Sequence, residues 1–205
     1  MPSGTHGTTV SAAGVSIAKS AVITTDSASG LEVTIPVAHA ISSWVKTDAD
    51  TAAGNFTAGH GQTDGTYDVY WSGGKRVGVA VTITTNAAVF EGGSGTDFPA
   101  DATAITCCKQ VAFNGALDGD EAELVALSLE YTDTAATSAG YLDCLSAAPA
   151  SIETVDLVAN TPQVWSGSAA QAKFTGNPIA SFTVSHNNTT YAATLKVIVM
   201  QDATP

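Results

Sequence analysis

The chain has 205 residues, of which 44% are apolar and only 13% charged, and seven Lys+Arg against nineteen Asp+Glu give a net charge of −12. That length buries one large β-domain core or two smaller ones. Nucleic-acid binding needs several phosphate-neutralising cations on one face, and the sole basic cluster is Lys75-Arg76, so that class of partner is excluded.

Ala, Thr, Ser, Gly and Val replace the missing charged residues. Such short side chains lose little entropy on contact, which suits packing against other subunits. The first 25 residues, MPSGTHGTTVSAAGVSIAKSAVITT, contain no basic leader followed by an unbroken apolar stretch, so no secretory signal is expected. Residues 1–13 read as a Gly/Ser/Thr/Ala-rich arm for a neighbouring subunit to hold. The longest apolar run, TLKVIVM, falls far short of the ~20 residues of a membrane helix, so no membrane partner is expected.

In chain order, GVSIAKSAVITT places Val15, Ile17, Val22 and Ile23 in extended chain. LEVTIPV alternates Leu31, Val33 and Ile35 inward with Glu32 and Thr34 outward, a half-buried strand, and AISSWVK is another. DADTAAGNFTAGHGQTDGT reads as a long polar loop. YDVYW and KRVGVAVTITT then form a hairpin across Ser72-Gly73-Gly74. Tyr67, Val69 and Trp71 face one side of it, Asp68 and Tyr70 the other, while Val77, Val79, Val81 and Ile83 make one face of the second strand. One face builds a barrel core. Lys75-Arg76 then project to solvent or meet an acidic patch on a neighbour, which makes Tyr67, Tyr70, Trp71, Lys75 and Arg76 the candidate interface residues.

EGGSGTDFP has neither the Gly-Lys-Ser/Thr ending of a phosphate loop nor a G-x-S-x-G nucleophile turn, and reads as a turn wrapping a barrel edge. Cys107, Cys108 and Cys144 fit no disulfide framework or zinc spacing, so they are expected to be buried thiols assembled in a reducing compartment. Asp118, Asp120, Glu121 and Glu123 form a solvated acidic turn, with weak Ca²⁺ binding as the alternative, because the EF-hand spacing fails.

Residues 122–131 alternate as a strand, although their Ala, Glu and Leu content also suits a short helix. AGYLDCLSA and SIETVDLV follow as strands, and 168–173 has room for one helical turn. PIASFTVSHNNTTYAATLKVIVMQD reads as a closing hairpin turning at Asn187-Asn188. No helical period persists over three turns. The expectation is an all-β fold: an arm at 1–13, a β-sandwich from 14–38 plus 122–205, and a smaller barrel-like lobe inserted at 40–113.

His6, His39, His60 and His186 share no ligand spacing, and no nucleophile motif is present, so no catalytic, cofactor or metal residues are assigned. Trp44, Trp71 and Trp165 read as core or interface residues before sugar-stacking platforms.

One segment carries a resemblance. Asp68, Tyr70, Trp71, Gly73, Gly74, Arg76, Gly78 and Val79 spell D-x-Y-W-x-G-G-x-R-x-G-V, and Gly92, Gly93, Gly95, Asp97, Phe98 and Pro99 spell G-G-x-G-x-D-F-P. This combination, within about residues 60–107, resembles structural proteins of tailed bacteriophages. The resemblance implies no catalytic residues. It implies a non-enzymatic virion subunit of tail, neck or capsid decoration, assembled in the host cytoplasm and partnered by copies of itself and other virion proteins. The alternative is a carbohydrate- or receptor-binding sandwich, which requires an aromatic groove at Trp71 or Trp165. The assembly reading expects those aromatics to be buried.

Overall fold

The computed structural model describes residues 9–12, 15–18, 27–101, 103–113, 123–134, 138–146, 151–166 and 181–202. The described residues form strands and turns with no helix. Strands β1 (Thr9–Ala12) and β2 (Val15–Ala18) pair as a small antiparallel ribbon, so part of the expected arm is hairpin; residues 1–8, and Val22 and Ile23, lie outside the described set. Strand β3 (Ser27–Ile35) enters the main body, with Ile35 buried and Glu32 and Thr34 exposed as the alternation requires.

The next strands close a barrel. They are β4 (His39–Lys46), β5 (Thr51–Asn55), β6 (Gly65–Trp71), β7 (Gly74–Thr84), β8 (Ala87–Glu91), the two-residue β9 (Ser94–Gly95) and β10 (Ile105–Lys109). The order β6-β10-β4-β5-β8-β7 returns to β6, giving six strands with no free edge, while β9 lies on β7. Trp44 fills the interior, its ring 5.2 Å from Phe90 and 5.3 Å from Phe98 between centroids. Its indole N–H donates to the Pro99 carbonyl at 3.2 Å.

Strand β5 lies inside the stretch expected to be loop. Its residues, TAAGN, carry little strand propensity. At Gly54 the packing admits nothing larger, since a Cβ there would sit 2.4 Å from Ile41 Cγ2.

The remaining strands are β11 (Val111–Phe113), β12 (Glu123–Thr132), β13 (Ala139–Leu145), β14 (Ser151–Val158), β15 (Gln163–Ser166), β16 (Ser181–His186) and β17 (Ala193–Asp202). With β3 they form two four-stranded sheets, β15-β12-β17-β3 and β11-β16-β13-β14. Numbering these eight strands along the chain gives orders 6-3-8-1 and 2-7-4-5. The pairs 1·8, 2·7, 3·6 and 4·5 are nested, as if one long antiparallel hairpin were rolled so that alternate pairs fall in opposite sheets. This is an eight-stranded jelly roll, and the barrel is inserted between its first and second strands.

Two expectations change. β11 falls within the expected 40–113 lobe, yet it pairs with β16 and belongs to the sandwich. β16 and β17 are not a hairpin: they lie in opposite sheets and bring Phe182 and Val184 to face the same core as Leu195 and Val197. A turn at Asn188 carries the chain across, its side-chain oxygen accepting from the Thr190 and Tyr191 amides at 2.9 and 3.2 Å. The segment expected at 122–131 is strand from Glu123, whereas residue 122, the acidic positions Asp118, Asp120 and Glu121 and the turn at 168–173 lie outside the described residues.

The adjacent cysteines serve two different cores. Cys107 packs in the barrel and Cys108 in the sandwich, because successive side chains of β10 point to opposite faces and both faces are covered. Burial pushes the Cys107 thiol well up, and Cys108 and Cys144 up to about 12. Thiolate is the reactive form. Native protein is therefore expected to resist a thiol-specific reagent at neutral pH, and all three cysteines to react after denaturation; mass spectrometry of the labelled chain reads the difference.

Candidate functional site

Strands β6 and β10 of the barrel form its wall against β16 of the sandwich. Every side chain from Tyr67 to Tyr70 is buried, at 0%, 0%, 0% and 5% exposure. Tyr67 and Val69 fill the barrel. Asp68 and Tyr70 point the other way, where the sandwich covers them. The Ser185 hydroxyl donates to Asp68 Oδ2, and Ser185 Oγ lies 2.5 Å from the Tyr70 hydroxyl. Asp68 Oδ1 also accepts from the Gly78 amide at 2.8 Å and from Gln110 Nε2 at 2.7 Å.

A second buried cluster backs this seam. Asp133 accepts from the Tyr131 hydroxyl at 2.7 Å and from Asn188 Nδ2 at 2.6 Å, and His186 Nδ1 lies 3.3 Å from it. His186 Nε2 faces the Pro36 carbonyl at 2.7 Å, so this nitrogen carries a proton. Pro36 is where the chain leaves the sandwich for the barrel, and Gln110 is where it returns. Both crossings are thereby fixed by side chains of the jelly roll or the seam. Ser185 and His186 engage different clusters on opposite sides of β16, so they do not form a nucleophile–base pair.

Arg76 does not project to solvent. It is 7% exposed, its Nε donating to the Gly92 carbonyl at 2.5 Å and its Nη atoms to the Gly93 and Thr96 carbonyls at 3.1 and 3.3 Å. The cause is a bulge. Tyr67 pairs with Val79 but Val69 pairs with Arg76, so one residue of β6 faces two of β7. The extra residue at Val77-Gly78, with Gly78 at φ +68°, resets the alternation and turns Arg76 inward. The glycine loop then wraps the guanidinium, and a Cβ on Gly93 (φ +78°) would meet the Val77 carbonyl oxygen at 2.6 Å.

Lys75 does find an acidic partner, but within its own chain: it pairs with Asp156 on β14 and lies 5.0 Å above the Tyr141 ring. Of the five residues expected at an interface between subunits, Tyr67, Tyr70 and Arg76 are interior and Lys75 bridges the two lobes. Trp71 is half-buried.

Trp71 and Lys75 overhang the outer face of β13 and β14, leaving a groove of about 570 Å³ between the lobes. A second hollow of about 240 Å³ shares Tyr70, Trp71 and Asn187 with it. Asn187 is held by Oδ1, which accepts the Ala139 amide at 2.9 Å. Nothing in the sequence marks Asn187 as a partner of Trp71, since only the jelly-roll connection brings them together. Trp44 is buried in the barrel, and the Trp165 side chain lies outside the described residues. No group of three or more metal-ligating side chains occurs among the described residues.

No family model and no curated protein sequence matches the chain. A structural comparison aligns 86% of it with 72% of a chain in the crystal structure of the infectious bursal disease virus VP2 subviral particle, at 10% identity and a TM-score of 0.23. At that score the alignment carries no argument.

Burial pushes the Asp68 carboxyl up, against the hydrogen bonds from Ser185, Gly78 and Gln110 that favour its charged form. Such a group contributes stability that is complete below the ordinary carboxylate range and is lost as pH rises through the raised folded value. Asp68→Asn keeps an oxygen for Gly78 and Gln110 and removes the charge. It is expected to be more stable than the wild type near neutral pH, with the difference vanishing on acidification, in thermal unfolding across pH. Asp68→Ala strands three buried donors and is expected to cost about 3 kcal/mol.

Proposed function

We propose that the chain is a non-enzymatic structural subunit of a tailed-phage virion that acts by self-association. The nested strand order carries this reading, because jelly rolls recur as capsid building blocks. They also recur in lectins and cupins, so fold is an analogy here and the surface has to supply the rest. The phage resemblance in the 60–107 segment points the same way. Its Asp68, Arg76, Gly78 and glycine-loop positions are those that build the lobe seam and the bulged hairpin.

The outer surface supports contacts between copies. Val45 on β4, Ala53 on β5 and Val89 on β8 are directly paired neighbours and form an apolar row across three barrel strands. Val45 is 51% and Val89 43% exposed. Val158 and Val164, also exposed, lie on β14 and β15, an edge strand of each sandwich sheet. Exposed apolar rows and open edges are the features that subunit contacts cover. The rival reading, a carbohydrate- or receptor-binding sandwich, is favoured by the groove beside Trp71.

Copies that each carry −12 repel one another at low salt, and screening shortens that repulsion. Association is therefore expected to strengthen with ionic strength. Replacing Val45 and Val89 together by Asp leaves the barrel interior untouched and is expected to reduce the sedimenting species to monomer, with unchanged circular dichroism. A wild-type monomer at high protein concentration and all salt concentrations would contradict the proposal.

A further inference from the structure

We infer that the groove between the lobes is a binding site for a neutral saccharide. The inference rests on the groove's own chemistry and holds whether or not the chain assembles into a virion.

The groove joins one aromatic surface to several uncommitted polar groups. The Trp71 indole rests on the hairpin turn, where a Cβ on Gly73 would lie 3.4 Å from Nε1 and one on Gly74 3.4 Å from Cζ2. The ring thus lies at contact distance from the turn while it still lines both hollows. Among the described residues, no hydrogen-bond partner occupies the Trp71 indole N–H, Asn187 Nδ2 or Thr96 Oγ1. Asn187 spends its oxygen on the Ala139 amide, which leaves its amino group as a fixed donor. Leu157 and Val158 complete the apolar part of the lining.

Charge selects among ligands. The groove's cation, Lys75, is paired to Asp156, so no surplus positive charge is present for a phosphate or a carboxylate. The chain's −12 opposes anionic ligands further. What fits is a neutral molecule with apolar C–H faces to lie on an indole and hydroxyls to meet mixed donors and acceptors, which is the chemistry of a sugar ring. Because Trp71 and Asn187 border both hollows, the ligand is a short chain of sugars with Trp71 near its middle. Pockets of this kind combine mostly apolar walls with a few placed polar groups.

The test titrates the intact chain with short cello-, malto-, chito- and galacto-oligosaccharides and follows tryptophan emission. One series is expected to give a saturable change. Asn187→Asp keeps the oxygen that holds Ala139 and removes the donor, and Thr96→Val removes an exposed hydroxyl. Each is expected to weaken binding about tenfold, and Trp71→Ala to abolish it, with unchanged far-ultraviolet circular dichroism for the first two. Flat titrations with every series would overturn the inference. So would binding that survives both Asn187→Asp and Thr96→Val unchanged. Binding in wild type that is lost when the groove is covered in assembled particles, while the monomeric Val45/Val89 variant binds, keeps the site and places it at a subunit contact.

Discussion

A single buried carboxylate organises this molecule. Asp68 lies in the wall that the barrel and the jelly roll share, accepting from the Ser185 hydroxyl of the sandwich and from Gly78 of β7 and Gln110 after β10 in the wall itself. A carboxylate without solvent is costly unless its oxygens are bonded, so removing any one partner exposes the cost of the rest. The two lobes are thus fixed to each other by a polar group that neither could bury alone. The adjacent pair Asp133 and His186 extends the constraint to Pro36, at the crossing between lobes. Around this seam the apolar packing divides cleanly, with Val69 and Cys107 facing the barrel and Cys108 and Val184 facing the sandwich.

This arrangement turns the inserted barrel from an appendage into a rigid part of the subunit. The barrel's outer row at Val45, Ala53 and Val89 stays exposed. The docking of the lobes also fixes the overhang of Trp71 across β13 and β14, which creates the groove. The groove follows from the docking geometry, whereas the row follows from the pairing of β4, β5 and β8 within the barrel. A hinged barrel would present no defined groove.

Alternation made much of the architecture legible. LEVTIPV, the hairpin strands and β12 all form where period-2 patterning places them, whereas the polar stretch near 47–66 lies inside the barrel and contains β5. What escaped has physical causes. A bulge resets the phase of an alternating strand, so Val77-Gly78 sends Arg76 inward; Gly78 was the available signal. Ser43, at φ +53°, does the same in β4 and lets Ile41 and Trp44, three apart, share the interior. Strand β5 is made of residues with weak strand preference, with Gly54 required by the close approach of Ile41. β16 and β17 look like a hairpin because local pattern reports which face is apolar and says nothing about which sheet receives it. Asp68 and Tyr70 form the barrel's outer face, as their alternation implies, and only the presence of a second lobe buries it. The site residues shared this fate, since their partners Ser185, Asp156 and Asn187 lie more than 80 positions along the chain.

Hydrogen exchange of the intact chain under native conditions tests the shared wall most directly. The account predicts that amides of β6, β10 and β16 exchange together as the slowest group, and that Asp68→Ala accelerates all three strands in step. If β16 kept its protection while β6 and β10 lost theirs in that variant, the lobes would be independent units and the seam would not be what holds the subunit together.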